Sequence, residues 1–303
     1  MGLRYDTISF LSDYGLVDEF VGVVHSVIRS ITPGVHVVDV THQIAPHDVR
    51  GGGLALARSA PYLCPGVVLA VVDPGVGTAR RGIAVEVGDG ASILIGPDNG
   101  LLATAVAMCG GVTRVVELTS PDHRLEAPGP TFAGRDVFAP AAAHLCAGVP
   151  LEELGPIVEG TSLRPGLLPV AHPDGDELAA EVLWVDRYGN AQLNLDGDDI
   201  EALLVAGSRG PEPDDRLRLR LGDDVRTARV VETYAELGPN DIGLVVDSYG
   251  LVAVVVDQRS AAGELGLGPA TPVHLSPLTE DQEGRGVTTP VQLRTRPDGN
   301  GDR

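Results

Sequence analysis

An aspartate and an arginine stand close together in the stretch VVDPGVGTARRG, residues 71–82. Asp73 ends an apolar run, a Pro-Gly turn follows, and Arg80 and Arg81 come after the turn. If the chain folds back there, the Arg80 guanidinium pairs with the Asp73 carboxylate and keeps it ionised, as an acceptor for a polarised water. The alternative is an ordinary Asp-initiated turn with an exposed ion pair of little energetic weight.

Polar side chains also follow other apolar runs. Asp13 follows TISFLS, and Asp98 and Asn99 follow SILIGP. A carboxylate at the end of a buried strand is able to accept hydrogen bonds from two vicinal hydroxyls, as ribose recognition requires. The structural alternatives are capping of the next helix, which Asp18 would satisfy, and Asx turns at Asp98 and Asn99.

Three further stretches combine aromatic and polar residues. In TFAGRDVFAPAAAHL, Thr131 and Phe132 are a candidate pocket wall just before a predicted alanine-rich helix, whereas Asp136 near the helix start is explained by ordinary complementarity to the helix dipole. WVDRYGNAQLN and VVDSYGLVAVVVDQRSAA each place an acidic or amide group beside a tyrosine on a tight turn. Turn chemistry explains each loop alone, but two such loops together suit a flat heterocycle with a zwitterionic tail.

The elements that must position these residues form two patterns. Over residues 1–165, short β-branched runs alternate with helical patterns, which predicts a Rossmann-like α/β domain with a largely parallel sheet. Ligands bind outside the carboxyl ends of strands in such sheets, where Asp13 and Asp73 fall. Residues 176–295 contain short strands with turn signals, which predicts an antiparallel β-barrel-like domain.

The remaining segments and the length agree with this division. Residues 166–175 are rich in proline, glycine and acid and are predicted as a linker, and residues 296–303 as a disordered tail. A chain of 303 residues is long enough for two domains.

Composition argues against several classes of partner. The net charge is −20, with 42 acidic against 22 basic residues, which disfavours nucleic acid or an anionic membrane as partner. The start lacks the features of a signal peptide, and no apolar stretch reaches the roughly 18 residues of a membrane helix. We therefore expect a cytoplasmic protein.

Spacing gives no indication of a metal site. Cys64, Cys109 and Cys146 are odd in number and show no paired CxxC spacing. His42 and His47 are close in sequence, but no third ligand stands at a recognisable spacing. The expectation is that no metal is bound.

Taken in order, these motifs resemble those of the S-adenosylmethionine (SAM) hydroxide adenosyltransferases, the hydrolytic relatives of fluorinase and chlorinase. The resemblance runs over most of the chain, through SDYG, VVDPGVGTARR, IGPDNGLL, TFAGRDVFAP, DRYGN, DSYG and QRSAA. It implies a homotrimer in which each site lies between the first domain of one subunit and the second domain of its neighbour. It also implies that SAM and water give adenosine and L-methionine, with no cofactor.

The resemblance assigns expected roles to residues. Asp13 is expected to accept the ribose hydroxyls, with Asp18 as a second polar contact in the same loop. The expected methionine-end binders are Asp186 and Ser248, the expected adenine contacts are Asn190 and the backbone near Ala261, and the expected aromatic walls are Tyr188 and Tyr234.

One member of the family's Asp-Arg-His triad is missing. Asp73 and Arg80 match the first two members, but the block usually written TFHGRD is TFAGRD here, with Ala133 in place of histidine through natural divergence or an engineered knock-out. In the halogenases, the Asp73 position is a tyrosine and the Tyr249 position an arginine, so both residues here favour water over halide.

Two functional hypotheses follow from the missing histidine. The first is a SAM hydrolase whose activity is reduced, and the second is a catalytically impaired sensor that binds SAM or adenosine without reacting. A generic α/β hydrolase is disfavoured because the sequence has no GxSxG nucleophile elbow.

Overall fold

The computed structural model describes residues 3–166, 168–207 and 215–278. The chain divides into two compact units, Met1–Val170 and Ala171–Arg303. The short strand His172–Asp174 lies inside the segment predicted as a linker, so regular structure of the second unit begins there. The predicted tail 296–303 and the end of the predicted β domain from residue 279 onward lie outside the described residues.

The first unit contains a seven-stranded sheet of order β2-β1-β3-β5-β4-β6-β7. Its strands are β1 Thr7–Ser12, β2 His36–Thr41, β3 Val67–Val71, β4 Gly82–Val87, β5 Ser92–Pro97, β6 Arg114–Glu117 and β7 Ile157–Val158. Its α-helices are α1 Phe20–Ile31, α2 Val49–Ser59, α3 Ala103–Met108 and α4 Ala139–Ala147, the last preceded by a π-helical turn, Gly134–Phe138.

Strand direction places the candidate residues at one edge of this sheet. β2, β1, β3 and β5 pair in parallel, whereas β4 is antiparallel to both β5 and β6. A largely parallel sheet is confirmed, with β4 and β7 as the reversed strands. Because Gly82 of β4 pairs with Pro97 of β5, Arg80 and Arg81 lie at the same edge as the residues that follow β1, β3 and β5.

Buried apolar contacts fix the strands and helices that carry the candidate residues. β1 and β3 are buried along their full length, as expected for strands covered on both faces. α1 faces the core through Val24 and Ile28, one helical turn apart, and packs against α4. The small side chains of α4 are buried almost throughout, which allows it to lie close to β3.

The second unit is a small barrel with few helices. Its strands are β8 His172–Asp174, β9 Glu177–Val185, β10 Ala191–Asp196, β11 Arg216–Leu221, β12 Asp224–Val231, β13 Ile242–Val246, β14 Leu251–Val256 and β15 Pro272–Pro277, and its helices are α5 Gly197–Ala206 and α6 Ala261–Leu265. The sheet order is β10-β14-β13-β12-β11-β15-β9-β8, and β10 also pairs with β9. Seven strands therefore close into a barrel, with β8 outside the ring, and the predicted barrel is confirmed.

One pairing in the barrel departs from the predicted antiparallel pattern. β12 and β13 are parallel. The segment 232–241 joins them, and it is longer than a tight hairpin turn, so the chain has room to return before the next strand begins. Among the described residues, no helix is both long and apolar enough to cross a bilayer.

Candidate active site

Asp73 and Arg80 form a two-point ion pair just beyond β3. Arg80 Nε donates to Asp73 Oδ1 at 3.0 Å, and Arg80 Nη2 donates to Asp73 Oδ2. Thr78 closes the turn between them, since its hydroxyl donates to the Gly75 carbonyl at 2.7 Å and accepts from the Arg80 amide at 3.2 Å. The chain folds back here as its sequence indicates, and both charged side chains are largely buried.

Burial dominates the acidity of Asp73. Loss of hydration raises the pKa of its carboxyl above the ordinary value, and the charge of Asp13 adds to the rise. Arg80 and the Gly75 amide act in the opposite direction, but the net shift of the Asp73 pKa is upward. The hypothesis that Arg80 keeps Asp73 ionised is therefore incomplete, because burial outweighs the effect of Arg80 and leaves a carboxylate more basic than an exposed one and better suited to accept a proton from water.

Asp13 lies at the same edge, just beyond β1. Its Oδ2 accepts a hydrogen bond from the backbone amide of His47 at 2.9 Å. His47 has a left-handed backbone with φ of 69°, so the loop after β2 bends toward Asp13. The Asp13 carboxylate is half-buried, and its assignment to ribose stays a prediction.

Asp18 lies in the exposed loop between Asp13 and α1. α1 begins at Phe20 with Glu19 as its N-cap residue, and no side chain caps it. The alternative explanation of Asp18 as a helix cap is therefore wrong.

Tyr14 was missed by the sequence analysis, although it stands next to Asp13 in SDYG. Its ring packs edge-on against Phe132, with 5.6 Å between centroids, and lies 5.8 Å from the ring of Phe20. Burial raises the pKa of the Tyr14 phenol, and the charges of Asp13 and Asp73 raise it further, so the phenol stays neutral. The predicted pocket-wall residue Phe132 is thus part of a three-ring aromatic cluster.

The TFAGRD segment and the π-helical turn that includes its end contact the Asp13 loop and the 73–81 hairpin at two points. A Cβ on Gly134 would lie 2.1 Å from the Tyr14 hydroxyl oxygen, so only glycine permits the contact. At the end of the π-helical turn, the Phe138 ring centroid lies 5.3 Å from the Arg80 guanidinium carbon. Ala133, directly before the turn, is half-buried against the core of the first unit and supplies no imidazole.

Asp98 and Asn99, which we call the hairpin clamp, hold both ends of the 73–81 hairpin. The Asn99 side-chain amide donates to the Val72 carbonyl at 2.8 Å, directly before Asp73. Asp98 Oδ2 accepts from Arg81 Nε at 3.0 Å, and the Asp98 amide donates to the Arg81 carbonyl at 2.9 Å. Arg81, which had no role in the sequence analysis, is thus a structural anchor of the hairpin.

In the second unit, Asp186 and Asn190 close a tight turn. Asp186 Oδ1 accepts from the amides of Tyr188 at 2.8 Å and Asn190 at 2.9 Å, and Oδ2 accepts from the Asn190 side chain at 2.8 Å. These contacts give both polar residues a structural role in the turn. Tyr188 projects from it with 79% of its surface exposed.

The start of α6 docks on the same turn. A Cβ on Gly189 would lie 2.1 Å from Ser260 Oγ, and the Ala262 amide donates to the Gly189 carbonyl at 2.9 Å. Ala261, the first residue of α6, is buried beside this contact. The structure brings the predicted adenine contacts Asn190 and Ala261 into one neighbourhood, and their assignment to adenine stays a prediction.

A second turn has the same Asp-x-Tyr-Gly pattern, and its aspartate, Asp247, was not predicted from the sequence. Asp247 Oδ1 accepts from the Tyr249 amide at 2.8 Å, and Oδ2 accepts from the Gln192 side chain at 2.5 Å. Ser248 and Tyr249 are exposed on this turn. The match between DRYG and DSYG was the signal that would have identified Asp247.

Tyr234 lies near both turns. Burial raises the pKa of its phenol, and the charges of Asp186 and Asp247 raise it further. Like Tyr188 and Tyr249, it keeps about half or more of its surface exposed. Exposed aromatic rings beside carboxylates form a surface on which a flat heterocycle can stack.

The two units together define a class of protein. The family model described as the SAM hydroxide adenosyltransferase N-terminal domain matches residues 8–155, and the model of the C-terminal domain matches residues 180–274. This protein belongs to the SAM hydroxide adenosyltransferase family.

Individual relatives support this assignment along most of the chain. A protein named (R)-S-adenosyl-L-methionine hydrolase from Salinispora tropica is 46% identical over 262 residues, covering 86% of this chain and 94% of that protein. A protein of the same name from Thermus thermophilus is 40% identical over 274 residues, covering 88% and 98%. A fluorinase from an Actinoplanes species is 29% identical over 287 residues, covering 84% and 91%.

A solved structure has the same fold. The crystal structure of an uncharacterized conserved protein from Thermotoga maritima superposes with a TM-score of 0.79 at 30% identity, covering 89% of this chain and 99% of that one.

Proposed function

We propose that this protein hydrolyses SAM to adenosine and L-methionine by attack of water on the ribose C5′. The observation that carries the proposal is the buried Asp73–Arg80 ion pair, whose carboxylate has a raised pKa at the ligand-binding edge of the sheet. The hydrolase names of relatives at 46% and 40% identity support the same reaction.

The chemistry needs a positioned base and no general acid. The water oxygen forms a bond to C5′ while the C5′–S bond breaks in line with it, and methionine leaves as a neutral thioether. The water proton passes to Asp73, which Arg80 holds in a fixed orientation. Attack on a sulfonium disperses charge, so a dry pocket and close approach of the reactants lower the barrier.

Substrate binding is assigned to both units. Asp13 binds the ribose hydroxyls, Asp18 is a second polar contact, and Phe132 is a pocket wall. In the second unit, Asp186 and Ser248 bind the methionine end, Asn190 and the Ala261 backbone contact adenine, Tyr188 and Tyr234 form aromatic walls, and Tyr249 occupies a position that favours water over halide.

We further propose that the site is completed in a homotrimer, between the first unit of one subunit and the second unit of its neighbour. Leu16 and Val17 support this, because they are large apolar residues in the loop beside Asp13 and Val17 is 98% exposed. Tyr188 and Tyr249 expose aromatic surface on the second unit. Such surfaces favour burial against a partner. A cytoplasmic location and the lack of a cofactor remain predictions.

The sensor hypothesis predicts binding of SAM without turnover. The relatives give it no support, because they are named hydrolases. The missing imidazole at Ala133 affects one group of the expected triad, whereas the Asp73–Arg80 pair is intact.

Incubation with SAM followed by chromatography tests the proposal. We expect equimolar adenosine and methionine, and a rate about 10²- to 10⁴-fold lower for Asp73→Asn because it removes the base. The exposed Asp122 provides a matched control, and Asp122→Asn should leave the rate unchanged. Recovery of unreacted SAM after hours, with calorimetric binding, would establish a sensor instead. Formation of 5′-chloro-5′-deoxyadenosine at high chloride would exclude a preference for water.

A further inference from the structure

Three side chains outside the Asp73 site converge beside the edge strand β2. They are His25 on α1, Asp39 on β2 and His42 just after β2. His25 Nε2 lies 2.8 Å from Asp39 Oδ1, and His42 Nε2 lies 3.0 Å from the same oxygen. The three candidate ligand atoms all lie within 4.8 Å of one another. His42 and His47 are close in sequence, but His47 is not part of this cluster. The other two candidate ligands, His25 and Asp39, come from α1 and β2.

His42 presents a buried nitrogen to this cluster. Its side chain is 3% exposed, and the Phe10 ring packs against it with 4.6 Å between centroids. Nδ1 is engaged by the Ser12 hydroxyl at 2.7 Å, whereas Nε2 has no hydrogen-bond partner. The Asp39 carboxylate nevertheless lies 3.0 Å from this nitrogen, so the two groups attract each other directly. A cation between the imidazole and the carboxylate would be bound by both groups and would satisfy Nε2.

We propose that His25, Asp39 and His42 bind one divalent transition-metal ion, with Zn²⁺ as the best match. Two imidazole nitrogens and a carboxylate oxygen are a ligand set that zinc uses when water completes the coordination. Zinc–ligand bonds of about 2.1 Å place tetrahedral ligand atoms about 3.4 Å apart. Each imidazole nitrogen would therefore move about half an ångström away from Asp39 Oδ1, while the two nitrogens, which lie within 4.8 Å of each other, would move closer together.

The surroundings permit that adjustment. The Asp39 side chain is 45% exposed, which gives it freedom to move and leaves a coordination position open to water. The bond from Ser12 to His42 Nδ1 orients the ring, as a ligating histidine usually requires.

The ion would support the active-site edge without touching the reacting atoms. The His42 carbonyl accepts a hydrogen bond from the Gly15 amide at 2.8 Å, and Gly15 lies two residues after Asp13. Fixing His42 therefore stabilises the loop that carries Asp13. This role is independent of the proposed hydrolysis, because binding is measured in the absence of SAM.

Calorimetric titration of the full-length, tag-free and chelator-stripped protein with Zn²⁺ tests the site. We expect one ion per chain, and visible d–d absorption when Co²⁺ replaces zinc. Asp39→Asn and His25→Ala change partly exposed side chains and should weaken zinc binding at least about tenfold. His36→Ala is the matched control, because His36 is an exposed histidine on the same strand. Its affinity should equal that of the unmodified protein.

Three results of the zinc titrations would overturn the proposed site. Equal affinity in the unmodified protein and Asp39→Asn, or the absence of stoichiometric binding, would overturn the proposal. Equal weakening by His36→Ala would indicate diffuse binding to surface histidines and would also overturn it.

Discussion

Asp73 is a carboxylate whose surroundings act on it in opposite directions. Burial raises its pKa and Asp13 adds to the rise, while Arg80 lowers it through charge and hydrogen bonding. The net shift of the pKa is upward, so the carboxylate that Arg80 orients is more basic than an exposed one. Asp73 must be deprotonated to accept a proton, so activity should fall as pH decreases through its raised pKa.

Arg80→Gln is predicted to move the acidic limb of the kcat/KM profile to higher pH. Arg80 lowers the pKa of Asp73, so its removal lets that pKa rise further and protonates the base at a higher pH. A pH–rate profile from acid to neutral conditions measures the change. Arg226→Gln in the second unit, which removes an exposed guanidinium near Asp224, should leave the limb in place. A limb that stays fixed or moves to lower pH in Arg80→Gln would contradict this account.

Ala133→His is predicted to raise turnover. It places an imidazole directly before the π-helical turn that contacts Tyr14 and Arg80. General acid–base groups contribute about 10²- to 10⁴-fold, which sets the upper range of the gain. Steady-state kinetics with SAM measure it, and Ala133→Gln controls for added bulk. If the histidine variant is no faster than the glutamine variant, water is activated by Asp73 without a triad.

Among the secondary-structure elements, the hairpin clamp links the ends of β3 and β5 to the Asp73–Arg80 pair. Asn99 holds the residue before Asp73, and Asp98 holds Arg81, the residue after Arg80. Asp98 and Asn99 directly follow β5, which pairs with both β3 and β4. The positions of these neighbouring strands therefore determine the two contacts that fix the 73–81 hairpin. Gly134 also allows a contact between distant segments. Because it has no side chain, the Tyr14 hydroxyl in the loop after β1 can lie against the start of the π-helical turn.

Asn99→Ala is predicted to lower kcat by about 10- to 100-fold with a smaller change in KM. Loss of the bond to Val72 frees the backbone that positions Asp73, and small misplacements of catalytic groups are costly. Kinetics combined with urea unfolding separate this effect from general destabilisation. Ser162→Ala removes a distal contact of Arg81 and should have little effect on kcat. If Asn99→Ala reduces stability but not kcat, the clamp only stabilises the fold.

At the scale of the whole molecule, the assignments place the groups that bind ribose and water in one unit and those that bind adenine and methionine in the other. A site built from two subunits would be lost when the subunits separate. The exposed Val17 and Tyr188 are the surfaces that we expect an assembly to cover.

Specific activity is therefore predicted to fall on dilution, together with dissociation of a trimer. Val17→Asp should shift both changes to higher protein concentration, because a charge at an apolar interface disfavours association. Light scattering after gel filtration gives the mass, and product formation at matched concentrations gives the activity. A monomer with constant specific activity over the whole range would rule out a shared site.

Local sequence patterns were enough to predict the class of each domain and the Asp73–Arg80 hairpin. Strand-helix alternation and turn residues are local signals, and Asp73 and Arg80 lie within one hairpin, so their contact depends on a single turn. The ordered motifs also identified the family. The reversed β4 and the parallel β12–β13 pair were not predicted, because strand direction depends on how connections cross the sheet.

Contacts between side chains that are distant in sequence became evident from the folded chain alone. Arg81 binds Asp98, Tyr14 lies on Gly134, and His25 joins Asp39 and His42, and none of these pairs follows from spacing. The pKa of Asp73 depends in the same way on burial and on Asp13. The physical reason is that strand order and close packing determine such contacts and the loss of water around them, whereas a sequence pattern reports only the chain's local preferences.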